Sequence, residues 1–258
     1  MKNTNNSQTF ENQNTEELFF AKSDLNNHKI DQLVSESLKS ADDGELYLEF
    51  SENESFVFDD QRLKSASFDT SKGFGLRAIS GESSGYAHSS DITEAALKKA
   101  SNTVNFITKN NTGNFNHDFS KTNRKLYMDA NPIDTSNFED KVNTLKCIDE
   151  YARKKNPNVK QVSAALNGEW QVVRIYRPGG VFVEDIRPLV RLYISIVLEK
   201  NGRQETGSRG SGGRTEYTSF LESSYWKKQV DEAIGQAEIN LNSVDTPAGE
   251  MDVVLGPG

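Results

Sequence analysis

Leu189-Val190-Arg191-Leu192-Tyr193-Ile194-Ser195-Ile196-Val197-Leu198 decides the fold. Leu192, Ile194, Ile196 and Leu198 alternate with Arg191, Tyr193, Ser195 and Val197, which is the period of a strand that buries one face of a sheet. Working outward, residues 159–166, 170–176 and 181–184 have the same β character. Between them lie Asn167-Gly168-Glu169 and Arg177-Pro178-Gly179-Gly180, short and rich in turn formers. Connections that short favour antiparallel hairpins over crossovers. An earlier block repeats the pattern at 46–50, 55–58, 63–68, 75–79 and a shorter piece around Gly85-Tyr86-Ala87, with Ser51-Glu52-Asn53-Glu54 read as a turn.

Helical spacing flanks both blocks. Ile30, Leu33, Val34, Leu38 and Ala41 form one stripe that stops near Gly44, and Asp91-Ile92-Thr93-Glu94 opens a second helix through Ala95, Ala96, Ala100 and Val104. A third is capped by Ser136, carries Phe138, Val142, Leu145 and Ile148 on one face, and ends in Arg153-Lys154-Lys155 before Pro157. A fourth, from about Ser224, puts Trp226, Val230, Ile234, Ala237 and Leu241 on one side. These are amphipathic helices that pack on something flat. The fold class expected is α+β: two mainly antiparallel β blocks with flanking helices, two similar units sharing one extended sheet. The polar, Asn-rich stretch 108–135 reads as the linker between them.

Composition narrows the function. At a net charge of −8 over 258 residues, the chain lacks the basic balance with which a sequence-independent nucleic-acid binder displaces counterions. No apolar run approaches the roughly 20 residues that span a bilayer. Residues 1–15 are an Asn/Gln/Ser/Thr tract with Phe10 as the one large apolar residue after Met1, so a disordered tail without a signal peptide is expected, and with it a cytoplasmic address. The single cysteine, Cys147, cannot form an internal disulfide.

The most conspicuous chemistry lies in 201–214. Gly207, Gly210, Gly212 and Gly213 allow close approach by another chain, while Ser208, Ser211, Arg209 and Arg214 offer donors. The stretch is neither a P-loop, for no Gly-Lys-Ser/Thr follows, nor a dinucleotide fingerprint, whose glycines are spaced differently. Two readings stand: a flexible strand-to-helix connection, or a backbone-lined surface for a peptide or partner. His28, His88 and His117 are scattered and lack zinc-ligand spacing, so each is read as a solvated surface residue. Cys147 sits beside an apolar helical stripe with no histidine nearby, as a packed or half-exposed thiol does. Glu52, Glu54, Asp59 and Asp60 read as a solvated cluster at a hairpin.

Four separated stretches carry a resemblance: Phe56-Val57-Phe58-Asp59-Asp60; Gly73-Phe74-Gly75-Leu76-Arg77-Ala78-Ile79-Ser80-Gly81-Glu82; Asp185-Ile186-Arg187-Pro188-Leu189-Val190-Arg191-Leu192 with the glycine-rich 207–214; and Pro247-Ala248-Gly249 with Val253-Val254-Leu255-Gly256-Pro257-Gly258. In this order, from about Leu46 onward, the chain resembles the TldD/PmbA metallopeptidase family, in the arrangement of its TldD subunits. The resemblance implies a zinc-dependent peptidase that works as a TldD–TldE heterodimer and cuts unfolded or short peptides in the cytoplasm. In that family the metal helix, His-Glu-x-x-x-His, lies just beyond the position matching Gly258, and a cysteine ligand lies far downstream. No catalytic residue or metal ligand carries over onto this sequence, and Cys147 does not match that cysteine. Zinc is thus expected for the complete enzyme and none for this chain, which alone is expected to be inactive.

The same resemblance divides the chain into a tail (1–15), an amino-terminal α+β domain (16–244) and the start of a truncated carboxy-terminal metallopeptidase domain (245–258), with 251–255 as an apolar strand. The candidate contacts to a peptide substrate or to a TldE/PmbA-like partner are Gly207, Ser208, Arg209, Gly210, Gly212, Gly213 and Arg214. Two other readings compete: a non-catalytic TldE-like subunit, and an interaction protein of the gyrase-modulator type. The tail and the Arg-Pro-Leu-Val-Arg block argue against the first, and the acidic balance argues against direct DNA binding in the second.

Overall fold

The computed structural model describes residues 15–21, 23–108, 126–245 and 247–256. Six strands form one antiparallel sheet in the order β3-β2-β1-β4-β5-β6: β1 (Asp43–Asp59), β2 (Arg62–Ser80), β3 (Ser83–Ser89), β4 (Val159–Arg177), β5 (Val181–Lys200) and β6 (Arg203–Gly213). The two β blocks are therefore two three-stranded meanders. They join along one seam between β1 and β4, where Leu46 faces Tyr176 and Asp59 faces Ser163. Helices α2 (Asn27–Ser37) and α3 (Glu94–Thr108) bracket the first meander. Helix α4 (Phe138–Lys155) precedes the second, and the short α5 (Thr218–Leu221) and long α6 (Ser223–Leu241) follow it. The α+β class with two antiparallel blocks in one sheet holds.

The strands run longer than the spacing predicts. Ser51-Glu52-Asn53-Glu54 and Asn167-Gly168-Glu169, expected as turns, lie in mid-strand and face each other across the seam, Asn53 opposite Glu169 and Glu54 opposite Gly168. The polar residues continue the strands because each finds a partner. Ser55 donates to Asn167 at 2.8 Å, and the Ser51 and Ser71 hydroxyls stand 2.9 Å apart. The β1–β2 turn is instead Asp60-Gln61, with φ of 47° and 66°, whose left-handed pair matches the twist of a two-residue hairpin. Gly168 is glycine for space: a Cβ there would stand 2.2 Å from the Tyr217 hydroxyl.

One face of the sheet is buried. Leu46, Leu48, Phe50, Phe56 and Phe58 of β1 all have even numbers, so they share a face, and both core clusters draw on it. Helices α2 and α3 cover the first meander's end of that face through Ile30, Val34, Leu97 and Val104. Helices α4 and α6 cover the second meander through Leu145, Ile148, Val230 and Ile234, against Leu192, Ile194 and Ile196. Each such side chain, fully buried, contributes about 1.5–3 kcal/mol.

Local details correct the sequence reading at the ends. Asn137, not Ser136, caps α4, accepting from the Asp140 amide at 2.8 Å. Thr93 performs that role for α3 through the Ala96 amide at 3.2 Å. Helix α1 (Thr15–Phe20) was not expected. Thr15, assigned to the tail, is buried and bonded to Arg174 and Glu184, so the tail reading fails at that residue. Residues 1–14 and 109–125 lie outside the described residues, and the remainder of the expected linker includes a 3-10 turn at Pro132–Thr135. Residues 251–255 join no strand pairing, and Val254 is 95% exposed.

Candidate functional site

The glycine-rich stretch is a strand, which overturns its reading as a flexible connection. The two-residue turn Asn201-Gly202, φ 55° and 81°, folds β6 back on β5, so that Ser208 faces Ser195, Gly210 faces Tyr193 and Gly212 faces Arg191. β6 is the last strand of the sheet. The backbone alternates along an antiparallel strand, and the flanking pair of a two-residue hairpin is bonded, so odd-numbered residues from Arg203 turn their polar groups toward β5. Thr206, Ser208, Gly210 and Gly212 turn theirs to the outside.

Helix α6 occupies part of that outside edge. Asn240 donates its side-chain amide to the Thr206 carbonyl at 3.0 Å, and the Ser208 amide donates to Gln236 at 2.9 Å. The contact is close enough to fix the residue beneath: a Cβ on Gly207 would stand 1.9 Å from the Ala233 carbonyl oxygen and 2.6 Å from the Ala237 nitrogen. Gly207 is thus required by helix packing. Arg209 faces the same helix and pairs with Glu232 at 2.6 Å. Arg214 lies over the Tyr127 ring at 5.5 Å and reaches the Pro188 carbonyl at 3.5 Å.

Beyond Ser208 the edge is bare among the described residues. No described residue bonds the outward groups of Gly210 and Gly212. A Cβ on Gly210 would meet only the Tyr193 ring edge at 3.5 Å and Arg191 at 3.8 Å, whereas one on Gly212 would stand 2.7 Å from the Val190 carbonyl. Of the seven candidates, then, Gly207, Ser208 and Arg209 are engaged by α6, Arg214 by Tyr127 and Pro188, Gly213 is turned toward Val190 of β5, and Gly210 and Gly212 present their backbone groups outward. Such an edge can take one extended segment by main-chain hydrogen bonds.

The sequence reading missed a buried polar centre at the seam. Lys141 on α4 and Glu54 on β1, 2% and 8% exposed, pair at 2.5 Å, and Lys141 also donates to the Ile133 carbonyl at 3.0 Å. The ammonium sits 4.6 Å from the centre of the fully buried Tyr217 ring. Burial first, and the Glu54 carboxylate second, push the Tyr217 hydroxyl far above the usual phenol range. The solvated-cluster reading is corrected accordingly: Glu54 is buried, Glu52 accepts from Asn131 at 2.7 Å, and Asp60 pairs with Arg153 at 2.6 Å. Glu54 falls in phase with Phe50 and Phe56, and that phase was the available signal.

His28 and His88 are exposed, the latter stacked on Tyr86 at 5.7 Å, and His117 lies outside the described residues. Cys147 is half-buried against the second core cluster. Among the described residues no group of three His, Cys, Asp or Glu could hold a metal ion, so those residues do not fit a zinc site. Among them, too, no helix is long and apolar enough to cross a membrane.

Comparison with known proteins follows the two meanders. Residues 44–104 match the model of the PmbA/TldA metallopeptidase domain 1, and residues 131–241 that of the PmbA/TldA metallopeptidase central domain. The metalloprotease TldD homologue of Haemophilus influenzae is 38% identical over 235 residues, 86% of this chain and 48% of that protein. The homologue from Buchnera aphidicola of Schizaphis graminum is 30% identical over 255 residues, 95% of this chain and 50% of that protein. The chain spans about half the length of the curated relatives it matches. Among solved structures, TldE from Thermococcus kodakarensis superposes with a TM-score of 0.60 at 16% identity over 81% of this chain and 47% of that one. A protein described as a modulator of DNA gyrase, from Bacteroides thetaiotaomicron, does so with a TM-score of 0.63 at 12% identity over 81% and 50%. These two likenesses concern the fold alone.

Proposed function

Because the chain belongs to the PmbA/TldD metallopeptidase family, we propose that it is the amino-terminal α+β unit, residues 16–244, of a TldD-type zinc metallopeptidase subunit that cleaves unfolded or short peptides with a TldE/PmbA-like partner in the cytoplasm. The observation that carries this reading is the pair of successive family matches, one per meander, together with relatives named as metalloproteases. Zinc and the hydrolytic groups belong to the complete enzyme, and residues 245–258 lead toward them. This unit's contribution is to hold a peptide or the partner in extended form along the bare end of β6. Gly210 and Gly212 offer backbone donors and acceptors there, and Gly213 leaves room beside them.

The test joins this chain to the carboxy-terminal half of the Haemophilus influenzae homologue and supplies a TldE-type partner. The chimera is expected to cleave an unfolded reporter peptide and to lose that activity on chelation. Gly210→Pro removes one outward amide without touching the β5–β6 ladder, and is expected to lower cleavage about tenfold with metal content unchanged. Cleavage that survives chelation would remove the metallopeptidase assignment. Full activity in the Gly210→Pro chimera would return β6 to a structural role.

A further inference from the structure

β2 runs past its outer neighbour. β3 pairs only with residues 74–80, so β2 from Arg62 to Gly73 has β1 on one side and no strand on the other among the described residues. The Ile79 carbonyl accepts from the Asp42 amide at 2.7 Å, which fixes the odd-numbered residues of β2 as those turned toward β1. Up to the irregularity opposite Val57 and Phe58, Ala66, Phe68, Thr70 and Lys72 therefore turn their amides and carbonyls outward, and no described residue bonds them.

The side chains give this edge a definite chemistry. Phe68 is 58% exposed at its middle and faces Glu54, one step along from Phe56, whose ring packs edge-on at 5.5 Å against the half-exposed Phe138. Lys64 and Lys72 stand at its two ends, both exposed and without a carboxylate among the described residues, in a protein whose net charge is −8. The one acid between them, Asp69, is engaged by the Asn53 amide at 3.3 Å. Edge strands are commonly protected by lysines and bulges. Here those devices sit at the ends, while the centre carries an exposed aromatic ring.

We propose that the β2 edge from Ala66 to Lys72 takes an extended strand of another polypeptide, apolar at its centre and acidic at both ends. The centre packs on Phe68, the four outward residues supply the ladder, and the ends meet Lys64 and Lys72. A second copy of this chain is a poor occupant. A two-fold axis makes the pairing antiparallel, and the register that sets Phe68 on Phe68 brings Lys64 opposite Lys72 of the other copy, a repulsive arrangement.

The experiment uses two synthetic nonapeptides with blocked ends, Glu-Thr-Val-Thr-Val-Thr-Val-Thr-Glu and its counterpart with lysine at both ends, whose terminal residues lie four from the centre and so share its face, as Lys64 and Lys72 do with Phe68, and follows amide hydrogen exchange. The acidic peptide is expected to protect the amides of Ala66, Phe68, Thr70 and Lys72 and to leave those of Ser67, Asp69 and Ser71, already turned to β1, unchanged. The lysine peptide is expected to bind at least about tenfold more weakly. Thr70→Pro removes an outward donor and is expected to weaken the acidic peptide about tenfold, with the far-ultraviolet circular dichroism unaltered. The double variant Lys64→Glu/Lys72→Glu, which touches no packing, is expected to reverse the preference, and it carries the test if Thr70→Pro unfolds the chain. Equal binding of the two peptides, or no new protection at the four amides with either, overturns the proposal and leaves the lysines as edge protection only.

Discussion

Removing the ammonium from the seam should strand a buried carboxylate. Lys141→Met keeps the length of the side chain but leaves the Glu54 carboxylate 8% exposed and without its cation, and it frees the Ile133 carbonyl. Breaking a buried pair by taking one partner costs about 3–5 kcal/mol. At about 2–4 °C per kcal/mol for a domain of this size, Tm falls by ~6–20 °C. Glu54→Leu alone should cost a similar amount, because the ammonium is then stranded between the Phe56 and Tyr217 rings. The double variant Glu54→Leu/Lys141→Met removes both charges and should recover most of the loss, leaving it within about 1 kcal/mol of the original protein. Urea unfolding of all four proteins closes the cycle, with the slopes compared to confirm that the folded state keeps its extent. Single losses below about 1 kcal/mol, or a double loss equal to the sum of the singles, would show that the two groups are not coupled and that water reaches them.

Two further expectations concern close packing and charge. Gly207→Ala drives a methyl group into the backbone of α6 and should destabilise by at least about 1–3 kcal/mol, whereas Gly210→Ala, on the open side of the same strand, should stay within ~0.5 kcal/mol; equal costs in urea unfolding would refute the contact with α6. Hydrogen bonds from Lys29 first and Lys98 second hold the Glu94 carboxyl down to about 2 from its ordinary 4.5. Its tie between α2 and α3 is thus complete above the ordinary value and lost as pH falls through about 2. In a carboxyl titration by nuclear magnetic resonance, Lys29→Met should move the Glu94 midpoint up toward 4.5, and an unmoved midpoint would mean that the two helices meet without it.

The sequence announced the sheet through its apolar alternation, and the strands' true length was hidden by the residues that interrupt it. Ser51 and Asn53 read as part of a turn because nothing in a single strand shows that Ser71 and Asp69 stand ready beside them. Polar residues in mid-strand become legible only once the neighbouring strand is known. The same holds for Gly168, a turn former in isolation and a clearance for Tyr217 in the fold. At the candidate site, the glycines of β6 were visible as a group, but not the division of labour among them. That Gly207 serves α6 while Gly210 faces an open edge depends on where α6 lands, and the residues that meet Gly207 there, Ala233 and Ala237, are distant in the sequence.

The seam between β1 and β4 also bears on how the chain reaches this shape. Within each meander the strands are joined by turns of two or three residues at Asp60-Gln61, Gly81-Glu82, Pro178-Gly179-Gly180 and Asn201-Gly202, so those ladders close over short loops. The shortest loop that the seam can close runs from Asp59 to Ser163. Relative to a four-residue turn, that closure costs on the order of 3 kcal/mol more in chain entropy. The nonlocal share of contact order is therefore concentrated at one junction, and doubling the length of the connection between the meanders would add only ~0.6 kcal/mol to it. Two locally folding halves and one late, tolerant union are what this topology favours. A folding rate insensitive to inserted glycine-serine residues between α3 and α4 would be its kinetic mark.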